Sequence, residues 1–86
     1  MKNGIRPLNF DEKNTMGLQG GLKVEHAPDW LRACNVCDGF IIITVNGHLV
    51  RTLEELYKGI DEGARIEGIY PDGTETYYFA EASDEF

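Results

Sequence analysis

The sequence is poor in positive charge. Only 8 of its 86 residues are lysine or arginine, against 15 aspartate and glutamate residues, which gives a formal net charge of -7 at pH 7. The basic residues are also scattered singly along the chain. Because phosphate binding requires a cluster of positive charge, we expect no nucleic acid among the partners of this protein.

Candidate nucleophiles and general bases are scarce as well. Ser83 is the only serine and stands among acidic residues near the carboxyl terminus, while His26 and His48 are the only histidines. A serine–histidine–aspartate triad requires three such groups in fixed contact, which a terminal serine does not favour. We therefore expect the chain to carry no catalytic site and no cofactor.

Long hydrophobic runs are missing too. The most apolar stretch, residues 39–45, is far shorter than the roughly 18 residues that a membrane-spanning helix needs. The first twenty residues contain no apolar core of a signal peptide. The length suits one domain, which we place at residues 1–80, followed by an acidic tail at residues 81–86 that we expect to be disordered.

The spacing of apolar residues predicts an α+β domain with a partly open antiparallel sheet. Alternating or β-branched stretches predict strands, and acidic starts with glycine ends predict helices. The strands are expected at residues 4–10, 20–26, 39–45, 64–70 and 74–79, and the helical segments at residues 11–17, 30–34 and 52–62.

Three local signals specify how these segments begin and end. Pro7 marks the first strand as an edge strand, because proline lacks the N–H that a central strand needs. The dipeptide at residues 46–47, Asn-Gly, favours a type I′ turn. Thr52 and Glu55 have the spacing of a capping box, and Asn9 or Asp11 could cap the first helix.

Cys34 and Cys37 form a C-x-x-C motif, for which three interpretations stay open. They could be incidental thiols, a local disulfide in an oxidising compartment, or part of a redox or metal site that His26 or His48 would join. The chain lacks both the βαβ pattern of thioredoxin-like proteins and a second cysteine pair, which favours incidental thiols.

Five segments in order resemble a PDZ domain. They are Gly-Ile-Arg-Pro-Leu at residues 4–8, Gly-Leu-x-x-Gly-Leu-x-Val at residues 17–24, residues 31–42, the Val-Asn-Gly to Glu-Glu-Leu stretch at residues 45–56, and Gly-x-Tyr-Pro-Asp-Gly at residues 68–73. The resemblance runs from about Asn3 to Phe79. It is strongest to the second, C-terminal PDZ domain of Do-like (HtrA/DegQ) periplasmic serine proteases, and it implies a PDZ-like sheet or barrel capped by two short helices.

The resemblance also implies a function. Such a domain is a non-catalytic module that captures C-terminal or extended segments of unfolded polypeptides by strand addition, with the peptide carboxylate held by backbone amides. The parent would be a trypsin-like serine endopeptidase of the periplasm or cell envelope. Besides peptides, the partners would be the protease domain and other protomers of that parent.

The residues that match the family's peptide-binding positions fall on two segments. The loop and strand positions are Asn3, Gly4, Ile5, Arg6 and Leu8, and the helix positions are Leu56, Gly59 and Ile60. Of the apolar helix face, we expect Leu53 and Tyr57 to point inward and Leu56 and Ile60 to be shared between core and groove.

Two positions depart from the family. Asn3 stands where an apolar residue is usual, and Pro7 stands where a backbone N–H would donate to the bound peptide. A lost hydrogen bond there costs on the order of 1 kcal/mol. The alternative that this favours is an assembly module that holds protomers together without binding peptide.

Overall fold

The computed structural model of the chain describes residues 4–60 and 63–80, and these contain six strands and three helices. Their bounds are β1 Ile5–Pro7, α1 Phe10–Met16, β2 Leu22–Val24, α2 Asp29–Arg32, β3 Ile41–Val45, β4 His48–Leu49, α3 Leu53–Gly59, β5 Ala64–Ile69 and β6 Glu75–Ala80. The predicted α+β class is confirmed. Residues 1–3 and the predicted tail at residues 81–86 lie outside the described part.

All strand pairs of the sheet are antiparallel. The strand order is β1-β2-β3-β5-β6, and β4 pairs with β3 beside the end of β2. β3 is therefore central, as its apolar sequence predicts, while β1 and β6 are the edge strands at the two ends of this order. The position of Pro7 in an edge strand is confirmed, since only an edge strand tolerates a missing N–H.

The helical turn predicted at residues 30–34 forms as α2, at Asp29–Arg32, so the described residues contain three helices where the PDZ resemblance implied two. It is a four-residue turn of helix that buries Leu31 completely. Proline at the start of a helix costs nothing, since the first N–H groups have no partner within the helix. Leu31, with the half-buried Trp30 beside it, packs this short helix against the core.

The turn and the helix caps that the sequence predicts all form. Asn46 and Gly47 have φ values of +53° and +84°, as a type I′ turn requires. Thr52 and Asn9 each cap a helix through a capping box, with Glu55 and Glu12 as the reciprocal partners. These contacts are local in sequence, which is why short-range patterns predict them.

The core lies on the inner face of the sheet, beneath α2 and α3. Its fully buried side chains are Phe40, Leu22, Leu31, Ile42, Leu56, Ile66 and Val24. At the hairpin end, the ring of Phe40 packs against Tyr70 and Tyr78, with ring centroids 4.9 and 5.2 Å apart. Gly68 makes room for this cluster, because a Cβ there would collide with the Ile41 carbonyl and the Phe40 ring.

Two tyrosine hydroxyls close this cluster. Those of Tyr70 and Tyr78 lie 2.7 Å apart, and the Tyr70 hydroxyl accepts a hydrogen bond from the Cys37 N–H at 3.0 Å. Burial, reinforced by the hydrogen bond with Tyr70, raises the pKa of Tyr78 to about 12. The hydroxyl pair thus joins the turn before β3 to the β5–β6 hairpin.

An ion-pair cluster centred on Arg6 joins β1 to α1 and to the segment after β2. The guanidinium donates to both carboxylate oxygens of Glu12 at 2.8 Å, and its Nε donates to Glu25 at 2.8 Å. These bonds raise the pKa of Arg6 above its ordinary range. The bond from Arg6, with the Asn9 N–H as a second donor, lowers the pKa of Glu12 from 4.5 to about 2.

Replacing Glu12 with glutamine tests this cluster, because the amide can still cap α1 but carries no charge. We expect Glu12→Gln to lower the free energy of unfolding by about 1 kcal/mol at neutral pH. Because the pKa of Glu12 is depressed in the folded state, the loss should fade as the pH falls from the ordinary value of 4.5 towards 2.

Urea denaturation of both proteins across this pH range measures the difference. Glu54→Gln is the matched control, since Glu54 occupies the second position of α3 and is exposed. An equal loss in both variants, or a loss that does not depend on pH, would contradict the role given to Arg6.

Candidate functional site

The candidate site is the outer edge of β1, a strand that is also in contact with α3. The Glu25 N–H donates to the Gly4 carbonyl at 2.7 Å, and the Leu8 N–H donates to the Gly21 carbonyl at 3.1 Å. Because backbone groups alternate in direction along a strand, the even-numbered residues of this segment turn their N–H and C=O groups towards β2. The backbone groups of Ile5 and Pro7 therefore turn away from β2.

Pro7 interrupts this edge. It has no N–H to donate, and its carbonyl accepts a hydrogen bond from Nη1 of Arg6 at 3.1 Å. The departure noted in the sequence thus falls on an outward-facing position, where it matters to a bound strand and not to the pairing of β1 with β2. A strand added here can receive no N–H from Pro7.

Gly4 begins the edge strand in a conformation that suits only glycine. Its φ is +79°, and a Cβ would collide with the carbonyl oxygen of His26. The Gly4 carbonyl also accepts hydrogen bonds from the N–H groups of Glu25 and His26, at 2.7 and 3.1 Å. Asn3, the first of the predicted site residues, lies outside the described residues.

The side chains of the β1 segment contribute little to an external surface. Ile5 and Leu8 are buried in the core, with 4% and 6% of their surface exposed. Arg6 is half-buried and its charge is engaged by Glu12 and Glu25. What this segment presents outward is therefore backbone, as strand addition requires, and not a charged side chain.

The predicted orientation of the α3 side chains is wrong at two positions. Leu56 is completely buried and belongs to the core, whereas Tyr57 is 40% exposed and lies beside Trp30. Leu53 and Ile60 are half-buried on either side of Leu56. The inward face of α3 is thus centred on Leu56. Tyr57 can lie at the margin of this face because its hydroxyl stays in contact with water.

Gly59 sets the distance between α3 and the sheet. A Cβ at this position would lie 2.6 Å from Cγ1 of Val45 in β3. The helix end is also held by Asn46, whose side chain donates to the Gly59 carbonyl at 3.3 Å and accepts from the Arg65 N–H at 2.9 Å. The sequence identified Asn46 as a turn residue and missed this second role, which depends on a contact distant in sequence.

A separate concavity of about 400 Å³ lies beside α1. Its lining residues are Phe10, Lys13, Asn14, Gly17, Leu18 and Gln19, and none of the predicted peptide-binding residues is among them. Phe10 is 76% exposed at its rim. The sequence carries no signal for this surface, because Phe10 is the first residue of a short helix and no apolar stripe continues from it.

The C-x-x-C motif follows α2. Both cysteines are thiols; Sγ of Cys34 donates to the Trp30 carbonyl at 3.3 Å, and Cys37 is exposed. His26 and His48 are exposed as well. Among residues 4–60 and 63–80, no three histidine, cysteine, aspartate or glutamate side chains are grouped so that they could hold a metal ion.

The tight contact at Gly59 predicts the effect of a single methyl group. We expect Gly59→Ala to destabilise the fold by about 2 kcal/mol, because β-branched Val45 has little freedom to move away. In a Val45→Ala background the same substitution should cost much less, and thermal unfolding of the four proteins of this cycle measures the coupling. Equal costs in both backgrounds would show that the helix does not rest on Val45.

Comparisons with known proteins give no match that would identify this site. No family model, no curated protein and no solved structure matches the chain. Within the described residues, no helix has the length and apolar character needed to cross a membrane.

Proposed function

We propose that this chain is a non-catalytic, PDZ-like peptide-binding module. The bound segment lies between β1 and α3 and adds a strand to the sheet. The observation that carries the proposal is the arrangement of an edge strand beside a helix, with the outward groups of the strand provided by backbone. The resemblance of the sequence to HtrA/DegQ PDZ domains supports the same arrangement.

The start of β1 suits recognition of a carboxylate. Gly4 takes a positive φ immediately before the strand, a conformation in which successive amides can point to one side and bind an anion. The protein has a net charge of -7, so long-range attraction does not draw acidic ligands to it. Recognition of a free C-terminus therefore depends on short-range hydrogen bonds and on the apolar side chain that enters beside Ile60.

The wider setting of the proposal comes from the resemblance. The parent is a serine endopeptidase of the periplasm or cell envelope, and the module captures unfolded polypeptides for it. The chemistry of cleavage belongs to a separate protease domain. The alternative, an assembly module without peptide binding, is favoured by the missing donor at Pro7.

A titration with two peptides tests the proposal. We expect a hydrophobic pentapeptide with a free C-terminus to cause saturable amide chemical-shift changes at Gly4, Ile5, Leu56 and Ile60, while the same peptide as a C-terminal amide causes none. The difference follows because only the free acid presents a carboxylate to the loop. No shifts at millimolar concentrations of the acid would favour the assembly alternative.

A pair of matched variants locates the site. Ile60→Lys places a charge on the apolar wall of the groove, and we expect it to weaken binding by at least about tenfold, equivalent to about 1.4 kcal/mol. Phe10→Lys makes the same kind of change at the concavity beside α1 and should leave binding unchanged. Weakening by Phe10→Lys alone would move the binding site to α1 and contradict the groove.

A further inference from the structure

β6 is the edge strand at the opposite end of the sheet from β1, and it lacks the features that protect β1 from pairing with another strand. β6 has six residues, contains no proline or lysine, and pairs with β5 in an unbroken register from Ala64↔Ala80 to Ile69↔Glu75. Edge strands are usually protected by proline, lysine, a bulge or short length. β1 is short and contains Pro7, whereas β6 has none of these protections.

The hydrogen-bond pattern shows which groups β6 presents outward. The Tyr70 N–H donates to the Thr74 carbonyl at 2.8 Å, so residues 70 and 74 form a hydrogen-bonded pair. Continuing this alternation along the register, the even-numbered residues of β6 bond to β5. The N–H and C=O groups of Glu75, Tyr77 and Phe79 therefore point away from the sheet.

The side chains at these outward positions form an exposed aromatic surface. Tyr77 and Phe79 are 49% and 64% exposed, and their ring centroids lie 5.6 Å apart. The guanidinium of Arg65 lies 5.1 Å above the Tyr77 ring and donates to Glu67 at 2.6 Å. The charges of Arg65 and Glu67, which lie on this face, are thus matched within one chain.

We propose that β6 pairs antiparallel with β6 of a second copy of this chain, about a twofold axis at Tyr77. In this register Tyr77 lies opposite its own counterpart, and Glu75 lies opposite Phe79 of the other copy. All three outward residues of each strand then find partners, which gives six backbone hydrogen bonds. Registers centred on Glu75 or Phe79 leave part of each outward row unpaired.

The same register is the one that side-chain chemistry favours. The four rings of Tyr77 and Phe79 from the two copies form one continuous row on the exposed face, and aromatic cross-strand pairs stabilise a sheet. The two Glu75 carboxylates are separated by four residues, roughly 14 Å along the strand, which exceeds the Debye length of about 8 Å at physiological salt. The register thus keeps like charges apart.

The net charge of the chain predicts how the stability of the dimer should depend on salt concentration. Two chains of charge -7 repel each other at long range, while the contact itself is made by backbone and aromatic groups. Screening by salt therefore strengthens the dimer, the opposite of what an interface made of ion pairs would show. The groove beside β1 stays accessible in both copies, because it lies at the other edge of the sheet.

Sedimentation equilibrium of the 86-residue chain tests the pairing. We expect a monomer–dimer equilibrium that shifts towards the dimer as salt is raised. Amide hydrogen exchange gives the register: protection at Glu75, Tyr77 and Phe79 should rise with protein concentration, while Thr76 and Tyr78 are protected at every concentration. A monomer at all concentrations up to about 1 mM, at low and high salt, would overturn the proposal.

Matched variants separate strand pairing from non-specific contact of aromatic rings. Phe79→Lys should weaken the dimer by at least about tenfold, whereas Phe10→Lys, the same change at another exposed phenylalanine, should not. Tyr77→Pro removes an outward N–H that β5 does not use and should abolish the dimer. Association that survives Phe79→Lys, or that Phe10→Lys weakens equally, contradicts the β6 interface.

The test is independent of the proposed groove. Peptide titration of the Phe79→Lys variant should still shift Gly4 and Ile60 if the groove binds peptide. Loss of the dimer with retained peptide binding, and the reverse result in Ile60→Lys, would assign the two functions to the two edges of the sheet. Circular dichroism of each variant verifies that it is folded.

Discussion

The burial of β3 positions the other strands and the helices of this domain. This strand is hydrogen-bonded to β2 and β4 on one side and to β5 on the other, so its backbone groups are satisfied only when all three are in place. Its side chains, with the preceding Phe40, fill the centre of the core. A domain of this size buries a modest share of its surface, so little else could replace this contribution. α3 and the β5–β6 hairpin are positioned by what they must cover on β3.

Two glycines determine how closely the covering elements approach this strand. Gly68 lets β5 pass beside Ile41 and the Phe40 ring, and Gly59 lets α3 settle on Val45. In both places the space that a side chain would need is already occupied by β3. The packing density of the core therefore depends on the lack of a Cβ atom at these two glycines as much as on the large side chains. In the proposed groove α3 would form the wall opposite β1, and its distance from the sheet depends on the contact between Gly59 and Val45.

The edge strands β1 and β6 differ in how many outward N–H and C=O groups they offer to another strand. At β1, Pro7 removes a donor and Arg6 engages the carbonyl, which leaves a short and partly closed edge. At β6, three successive outward residues keep both their N–H and C=O groups beside exposed aromatic rings. An edge with a full set of unpaired groups favours another strand more than an interrupted one does. This asymmetry is consistent with the two proposals, in which β1 would bind short C-terminal segments and β6 would pair with an identical strand.

Sequence patterns were sufficient to predict the elements that depend on near neighbours. These are the caps at Asn9 and Thr52, the Asn46 turn, the central strand and the edge position of Pro7. Each of these follows from hydrogen bonds or periodicity within a few residues. The three-dimensional packing was needed to show that α3 faces the core with Leu56 and not with Tyr57, because two apolar neighbours on a helix cannot be ranked until the opposing surface is known. It also decided which backbone groups of β1 and β6 face outward, since that depends on register between strands distant in sequence.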